Sequence, residues 1–327
     1  MIFWIEDNIE ITYSQLFEDI NGADHNTILT GYTYFLSLLR KLCKGVAIHS
    51  IEDLIRHLEE NKNKLSFHID TSGTTSIPRS LEVRMSNCIR HVKTTKKNKS
   101  IWGMGYPCGS YASTQVFFQS LINQETIIYL FGLDFKNADK LFSRYGITNL
   151  CCTPTFLSML LINLKLIYPT VKKITSGGEK IKDHLIQSLK KTFTSAEYIN
   201  IYASTETGSL LRSTSEFFSI PEKYKSQIKI EDGTLRVHKS LLNEVDHIDE
   251  GWYDTNDVVE FINEDQFRFI SRSNGYLNTG GFRVFPSEIE DNLISIDGVV
   301  DAHVYGKSNT LLGTIICADI VSEKLTS

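Results

Sequence analysis

Asp70-Thr71-Ser72-Gly73-Thr74-Thr75-Ser76-Ile77-Pro78-Arg79-Ser80 is the stretch on which the reading of the chain turns. An apolar alternation (Leu65, Phe67, Ile69) precedes it and another (Leu81, Val83, Met85) follows, so the spacing predicts a loop between two strands. Thr71 to Thr75 place four hydroxyls and one glycine in five positions. Backbone N–H groups and hydroxyls on such a loop can face phosphate oxygens; Gly73 permits close backbone approach and Arg79 adds fixed positive charge. Taken alone, the run fits a plain Ser/Thr-rich turn as well. It is not the Walker-type loop, because no glycine stands at the required spacing before a Lys-Ser or Lys-Thr pair.

Downstream of this loop, strand-like and helix-like segments alternate. Thr126 to Phe131, Ile147 to Cys152, Val171 to Thr175 and Tyr198 to Tyr202 read as strands. Between them lie helical patterns at Ala138 to Tyr145, after Pro154, and through Ile181, Leu185 and Leu189. Alternation of this kind predicts an α/β fold with a mainly parallel, helix-covered sheet. Upstream, Ile2 to Ile5 and Ile9 to Thr12 read as a hairpin, residues 28–42 as a helix, and Ser50 with Asp53 as the capped start of another. Ser86 is positioned to cap a helix reaching Val92. From about residue 230 to 272 short β-runs predict a β-rich subdomain, and after Ser273 a small α+β domain follows. There Ser287 and Glu290 stand in capping-box register on a helix starting at Pro286. The expected organisation is an N-terminal domain over 1–272 and a partial C-terminal domain over 273–327.

Composition narrows the classes of function. With 327 residues, 41% apolar and 22% charged, the chain has globular composition and length for one large or two ordinary domains. A net charge of −5 does not suggest nucleic-acid binding, and the Lys93, Lys96, Lys97, Lys99 cluster reads as a solvated helix end. Met1 to Asp7 lacks a basic leader and no apolar run reaches membrane-spanning length, which predicts a cytoplasmic protein without membrane insertion. The six cysteines show no paired metal spacing and read as buried reduced thiols.

Three further constellations fall at expected strand ends or turns. Ser176-Gly177-Gly178-Glu179 can lay flat backbone against a planar group such as a purine, or simply turn the chain. Tyr202-Ala203-Ser204-Thr205-Glu206 offers an aromatic face, hydroxyls and a carboxylate able to stack a base, meet a phosphate and hold magnesium; it equally fits a loop with a capping hydroxyl. Gly251 to Asp257 ends on a carboxylate suited to two ribose hydroxyls, with Asp254 shaping the turn; Arg272 either completes that contact or forms a surface ion pair.

In order, these motifs resemble those of the AMP-forming adenylating enzymes: acyl-CoA synthetases, peptide-synthetase adenylation domains and luciferases. The segment Gly280-Gly281-Phe282-Arg283-Val284-Phe285-Pro286 continues the likeness. The resemblance implies an AMP-forming ligase that uses ATP and Mg2+ to adenylate a carboxylic acid, then passes the acyl group to coenzyme A or to the phosphopantetheine thiol of an acyl carrier protein. It implies that Thr71, Ser72, Gly73, Thr74, Thr75 and Arg79 hold the leaving phosphates and that Thr205 meets the α-phosphate. Glu206 would bind the metal, Gly177, Gly178, Glu179, Tyr202, Ala203 and Ser204 would form the adenine side, and Asp257 and Arg272 would take the ribose. Tyr106, Ser110, Gly177 and Tyr202 would border the acid, and the absence of an acidic residue from Tyr106 to Ser113 points to an aryl, fatty or other simple acid rather than an amino acid.

The chain departs from the family pattern at Ser76, Arg79, Ala203, Asn256, Asn274 and Asn278, where glycine, lysine, glycine, glycine, a hinge aspartate and lysine are usual. The stretch from Tyr13 to Thr71 is shorter than the family's first subdomain, and no residue matches the family's late catalytic lysine, Lys324 standing too early. Two expectations follow: a ligase of reduced activity, or a relative that binds nucleotide or acid without turnover.

Overall fold

The computed structural model describes residues 1–22, 29–71, 79–94, 99–243, 245, 247–272, 275, 277–279, 282–309 and 313–322. The chain divides into two units, Met1–Glu216 with Leu241–Asp246, and Phe217–Ser240 with His247–Ser327.

In the first unit, β1 (Ile2–Glu6) and β2 (Ile9–Thr12) form an antiparallel hairpin. Its turn sets Asp7 at φ 50° and Asn8 at φ 64°, left-handed positions that these side chains tolerate best after glycine. Thr12 caps α1 (Tyr13–Ile20) reciprocally with Gln15. α2 (Thr30–Leu42) starts on a buried carboxylate: Glu6 accepts from the Gly31 and Tyr32 amides at 3.0 and 3.1 Å. α3 (Ile51–Asn61) is capped by Ser50, as its spacing predicts. β3 (Ser66–Thr71) and β4 (Arg79–Arg84) pair antiparallel with Thr71 opposite Arg79, so Ser72 to Pro78 join two strands; these joining residues lie outside the described ones.

The remainder of the unit is α4 (Met85–Cys88), β5 (Ile101–Met104), α5 (Tyr111–Asn123), β6 (Thr126–Tyr129), α6 (Ala138–Tyr145), β7 (Asn149–Cys152), α7 (Pro154–Asn163), β8 (Lys173–Gly177), α8 (Asp183–Thr192), β9 (Glu197–Ser204) and β10 (Gly208–Ser213). Eight strands make one sheet in the order β10-β9-β8-β7-β5-β6-β1-β2. Its interior pairings are parallel and only the two outer pairs are antiparallel. Successive strand residues point to opposite faces, and the core divides accordingly. Trp4, Ile127, Tyr129 and Cys151 pack with Phe35 and Phe117 of α2 and α5, whereas Ile5, Ile128, Leu130 and Cys152 pack with Phe142, Leu157 and Leu189 of α6, α7 and α8. Burial on both faces explains why the strands read as short apolar runs. Parallel strands also bring β8 and β9 to the same edge of the sheet at their C-terminal ends, at Gly177 and Ser204, where open α/β sheets place ligands.

The cysteines are free thiols. Burial pushes Cys43 up to about 11 and Cys151 up to about 12, from an ordinary 9.0. In the unfolded chain these thiols ionise near 9 while the folded ones stay protonated. Stability is therefore full at neutral pH and falls as pH rises from about 9 towards 12, by about 1.4 kcal/mol per unit for each such thiol. A Tm series from pH 7 to 10.5 should be flat to about pH 8.5 and then decline; a flat profile throughout would contradict this.

In the second unit β11 (Ile228–Glu231), β12 (Thr234–His238), β13 (Trp252–Phe261) and β14 (Phe267–Arg272) form an antiparallel sheet in that order. β15 (Leu277–Thr279) pairs with β16 (Phe282–Val284), and α9 (Pro286–Ile294) precedes the hairpin of β17 (Val299–Asn309) and β18 (Gly313–Ser322).

Local expectations are corrected in three places. The helix expected from Ser86 to Val92 ends at Cys88 and has no side-chain cap; Asn87 and Arg90 instead donate to residues 241–243, and tertiary bonding overrides local propensity. Ser287 and Glu290 form no capping box, since Ser287 donates to the Ile270 carbonyl and Glu290 accepts from the Val304 amide. Two sheet strands, β5 and β10, are not among those expected from the sequence. Among the described residues no helix is long and apolar enough to cross a membrane.

Candidate active site

Gly177 ends β8 beside Ile201 of β9, and a Cβ there would stand 2.5 Å from the Ile201 carbonyl oxygen. Only glycine fits without moving backbone. Gly178 follows at φ +87° with open space around it, so the turn presents bare peptide surface. Tyr106 lies beneath: its buried hydroxyl donates to the Cys152 carbonyl at 2.9 Å and to the Gly177 carbonyl at 3.4 Å. Burial holds that phenol well above its usual range, so it stays a neutral donor committed to the strand ends. Glu179 accepts from the Thr155 amide and hydroxyl at 2.9 and 2.6 Å, a carboxylate set on the N-terminal turn of α7.

At the end of β9, Tyr202, Ala203, Ser204, Thr205 and Glu206 are all half-buried. Ser204 is used inside the turn, where its hydroxyl accepts from the Thr207 amide at 3.2 Å. Ala203 is paired as extended strand with Ser209, a conformation open to any side chain, so a glycine is not required there. The Thr205 hydroxyl and Glu206 carboxylate differ from their neighbours. Neither makes a hydrogen bond or ion pair among the described residues. Their two carbonyls, however, are held: the Asn243 side-chain amide donates to Thr205 O at 2.5 Å and the Asn243 backbone N–H to Glu206 O at 2.7 Å. No spacing rule in the sequence signals Asn243.

Ser110 is the N-cap of α5; its hydroxyl accepts from the Ser113 amide at 3.1 Å. Of the loop expected to hold phosphates, Ser72, Gly73, Thr74 and Thr75 lie outside the described residues. Thr71 and Arg79 are described as paired strand backbone only.

In the second unit Asp257 and Arg272 are cross-strand partners, with Arg272 Nε donating to Asp257 Oδ1 at 3.1 Å. The Asp257 side chain is 12% exposed and that of Arg272 49%. Asp257 is therefore fixed by its strand and its partner. Asp254 shapes the preceding turn, accepting from the Asn256 amide at 2.8 Å. Asn256 sits at φ 59°, so the backbone retains the conformation for which glycine is usual. Asn256→Gly should leave stability unchanged or slightly raised, and Asn256→Val should lower it by about 1–2 kcal/mol, read by urea unfolding.

Among the described residues no three His, Cys, Asp or Glu side chains cluster to cage a metal. A magnesium ion carried on nucleotide phosphates needs no cage, only one or two carboxylates, and Glu206, unpaired among the described residues, suits that demand.

Residues 36–230 match the family model described as AMP-binding enzyme, more than half of the chain. The 2-succinylbenzoate–CoA ligase of Bacillus pumilus is 23% identical over 318 residues, covering 84% of this chain and 65% of the relative. A putative long chain fatty acid-CoA ligase, VraA, of Staphylococcus haemolyticus is 23% identical, covering 86% and 65%. The chain thus spans just under two thirds of these relatives' length. Among solved structures, O-succinylbenzoate coenzyme A synthetase (MenE) from Bacillus subtilis with AMP superposes with a TM-score of 0.68 at 16% identity, over 100% of this chain and 86% of that one. The same enzyme with ATP and magnesium ion gives 0.66, also at 16% identity, over 100% and 88%. The α/β architecture read from the sequence is the one these enzymes share, and the chain belongs to the AMP-binding enzyme family.

Proposed function

We propose that the chain is an AMP-forming acid–thiol ligase. The observation that carries this reading is the end of β9, where a hydroxyl and a carboxylate are half-buried, held by their backbone and without a hydrogen-bond or ion-pair partner among the described residues. Burying polar groups without partners costs free energy, so such a pair is best explained by a ligand that completes it. The CoA ligases among the relatives, and the AMP and ATP–magnesium complexes among the structural neighbours, support a nucleotide as that ligand.

In the proposed reaction a carboxylate oxygen of the acid attacks the α-phosphorus of ATP. The bond to the β-phosphate oxygen breaks and pyrophosphate leaves, giving an acyl-adenylate. A thiol then attacks the acyl carbon; the thiol proton is lost to solvent, the carbon–oxygen bond breaks, and AMP departs with the acid's oxygen. Displacement at phosphorus calls for positioning and charge neutralisation more than for an acid or base. Thr205 donates to an α-phosphate oxygen and Glu206 holds magnesium, which supplies positive charge to the phosphates. Thr71, Ser72, Gly73, Thr74, Thr75 and Arg79 receive the leaving pyrophosphate. Tyr202 and the Gly177–Gly178 turn flank adenine, with Ala203, Ser204 and Glu179 shaping that wall. Asp257 accepts the ribose hydroxyls beside Arg272. Tyr106 and Ser110 act at the acid pocket through the backbone they fix.

A simple aryl or fatty acid as substrate and coenzyme A as acceptor fit this reading. Pyrophosphate release from ATP, screened over carboxylic acids with coenzyme A or a phosphopantetheinylated carrier protein, is the test. Acid-dependent release followed by thioester supports the proposal and identifies the acceptor. ATP binding without release for any acid would favour a nucleotide-binding relative without turnover.

A further inference from the structure

Asn243 belongs to the short segment Leu241–Asp246, which packs in the first unit although the residues on either side of it belong to the second. Its residue is 6% exposed. Three hydrogen bonds use its polar groups: N–H to Glu206 O at 2.7 Å, Nδ2 to Thr205 O at 2.5 Å, and Oδ1 accepting from Asn87 Nδ2 at 2.8 Å. Asn87 is held in turn. Its Oδ1 accepts from Arg90 Nη2 at 2.8 Å, while the same Nη2 donates to Leu241 O at 3.2 Å and Asn87 Nδ2 reaches Leu242 O at 3.2 Å.

The two carbonyls that Asn243 grips belong to the peptide units on either side of the Glu206 Cα. A peptide unit in a turn can rotate about its flanking bonds, and its orientation sets where the intervening side chain points. Fixing both units therefore fixes the direction of the Glu206 Cα–Cβ bond. The residue so held is the one whose carboxylate makes no hydrogen bond or ion pair among the described residues. We propose that Asn243 is a positioning residue: it clamps the peptides around Glu206 and so aims that carboxylate at the bound nucleotide. This rests on the ligase reading above. Asn87 and Arg90 act one step back, holding the Asn243 side chain in the orientation that donates to Thr205.

The full chain is titrated with MgATP by calorimetry as wild type, Asn243→Ala, Asn243→Asp, Asn87→Ala, Glu206→Gln and the Asn243→Ala/Glu206→Gln double variant, and the magnesium concentration for half-maximal ATP binding is read in each. Asn243→Ala and the near-isosteric Asn243→Asp should weaken MgATP by about tenfold, the scale of one lost buried hydrogen bond, and raise the magnesium requirement. Asn87→Ala should do the same to a smaller degree, and stands in if the Asn243 variants do not fold. Because Asn243 acts through Glu206, the double variant should bind within about twofold of Glu206→Gln alone.

Affinity and magnesium dependence within twofold of wild type in a folded Asn243→Ala or Asn87→Ala, with only Tm lowered, would overturn the proposal, as would losses that multiply in the double variant. Failure of the wild-type chain to bind MgATP would overturn the ligase reading first, and this inference with it.

Discussion

Glu206→Gln should reduce acid-dependent pyrophosphate release by about a hundredfold or more, the scale set when a charge-stabilising group is removed from a reaction centre. Glutamine keeps the shape and removes the charge, so loss of magnesium binding is separated from loss of packing. The carboxylate makes no hydrogen bond or ion pair among the described residues, and the turn that carries it is held through its backbone by Asn243. Folding should accordingly be unaffected, with Tm unchanged within about 2 °C, on the scale of a surface substitution. Residual release should demand more magnesium than wild type. A variant with undiminished release at ordinary magnesium would remove Glu206 from the reaction.

The next largest effect is expected from Asp257→Ala. If Asp257 accepts the ribose hydroxyls, MgATP affinity should fall by about ten- to a hundredfold, as for a lost hydrogen bond to a charged acceptor. The ion pair with Arg272 is also lost, but the arginine side chain is 49% exposed and remains solvated, so losing that pair should itself cost no more than about 1 kcal/mol. The ribose assignment has its own signature. Wild type should prefer ATP to 2′,3′-dideoxy-ATP, and Asp257→Ala should bind the two alike. Equal discrimination in both proteins would remove Asp257 from the ribose contact.

Which of these features the sequence made legible follows from the range of the interactions involved. The sheet was readable because alternation and caps are local: Ser50 caps α3, and the apolar runs at Ile127–Ile128 and Cys151–Cys152 are strands buried on both faces. The glycine pair at Gly177–Gly178 and the Tyr202 to Glu206 segment were readable as strand ends for the same reason. Where a side chain bonds to a distant part of the chain, spacing gave no signal. Asn87 meets Asn243 across 156 positions, and α4 consequently stops at Cys88 instead of continuing from Ser86 to Val92. Glu6 caps α2 from 25 positions away. Ser287 and Glu290 had the register of a capping box, yet their side chains bond to Ile270 and Val304, long-range partners that compete with the local cap. Asn256 shows the converse: an altered residue type on a retained backbone shape, with φ 59° where glycine is the family's usual choice.

Attack of a substrate carboxylate on the α-phosphorus of ATP can be read by following oxygen. The chain is incubated with ATP, magnesium, coenzyme A and an accepted acid labelled with oxygen-18 in its carboxylate, and the nucleotide product is weighed by mass spectrometry. AMP carrying one oxygen-18 atom and unlabelled pyrophosphate are expected. ADP as the product, or AMP without the label, would contradict that attack.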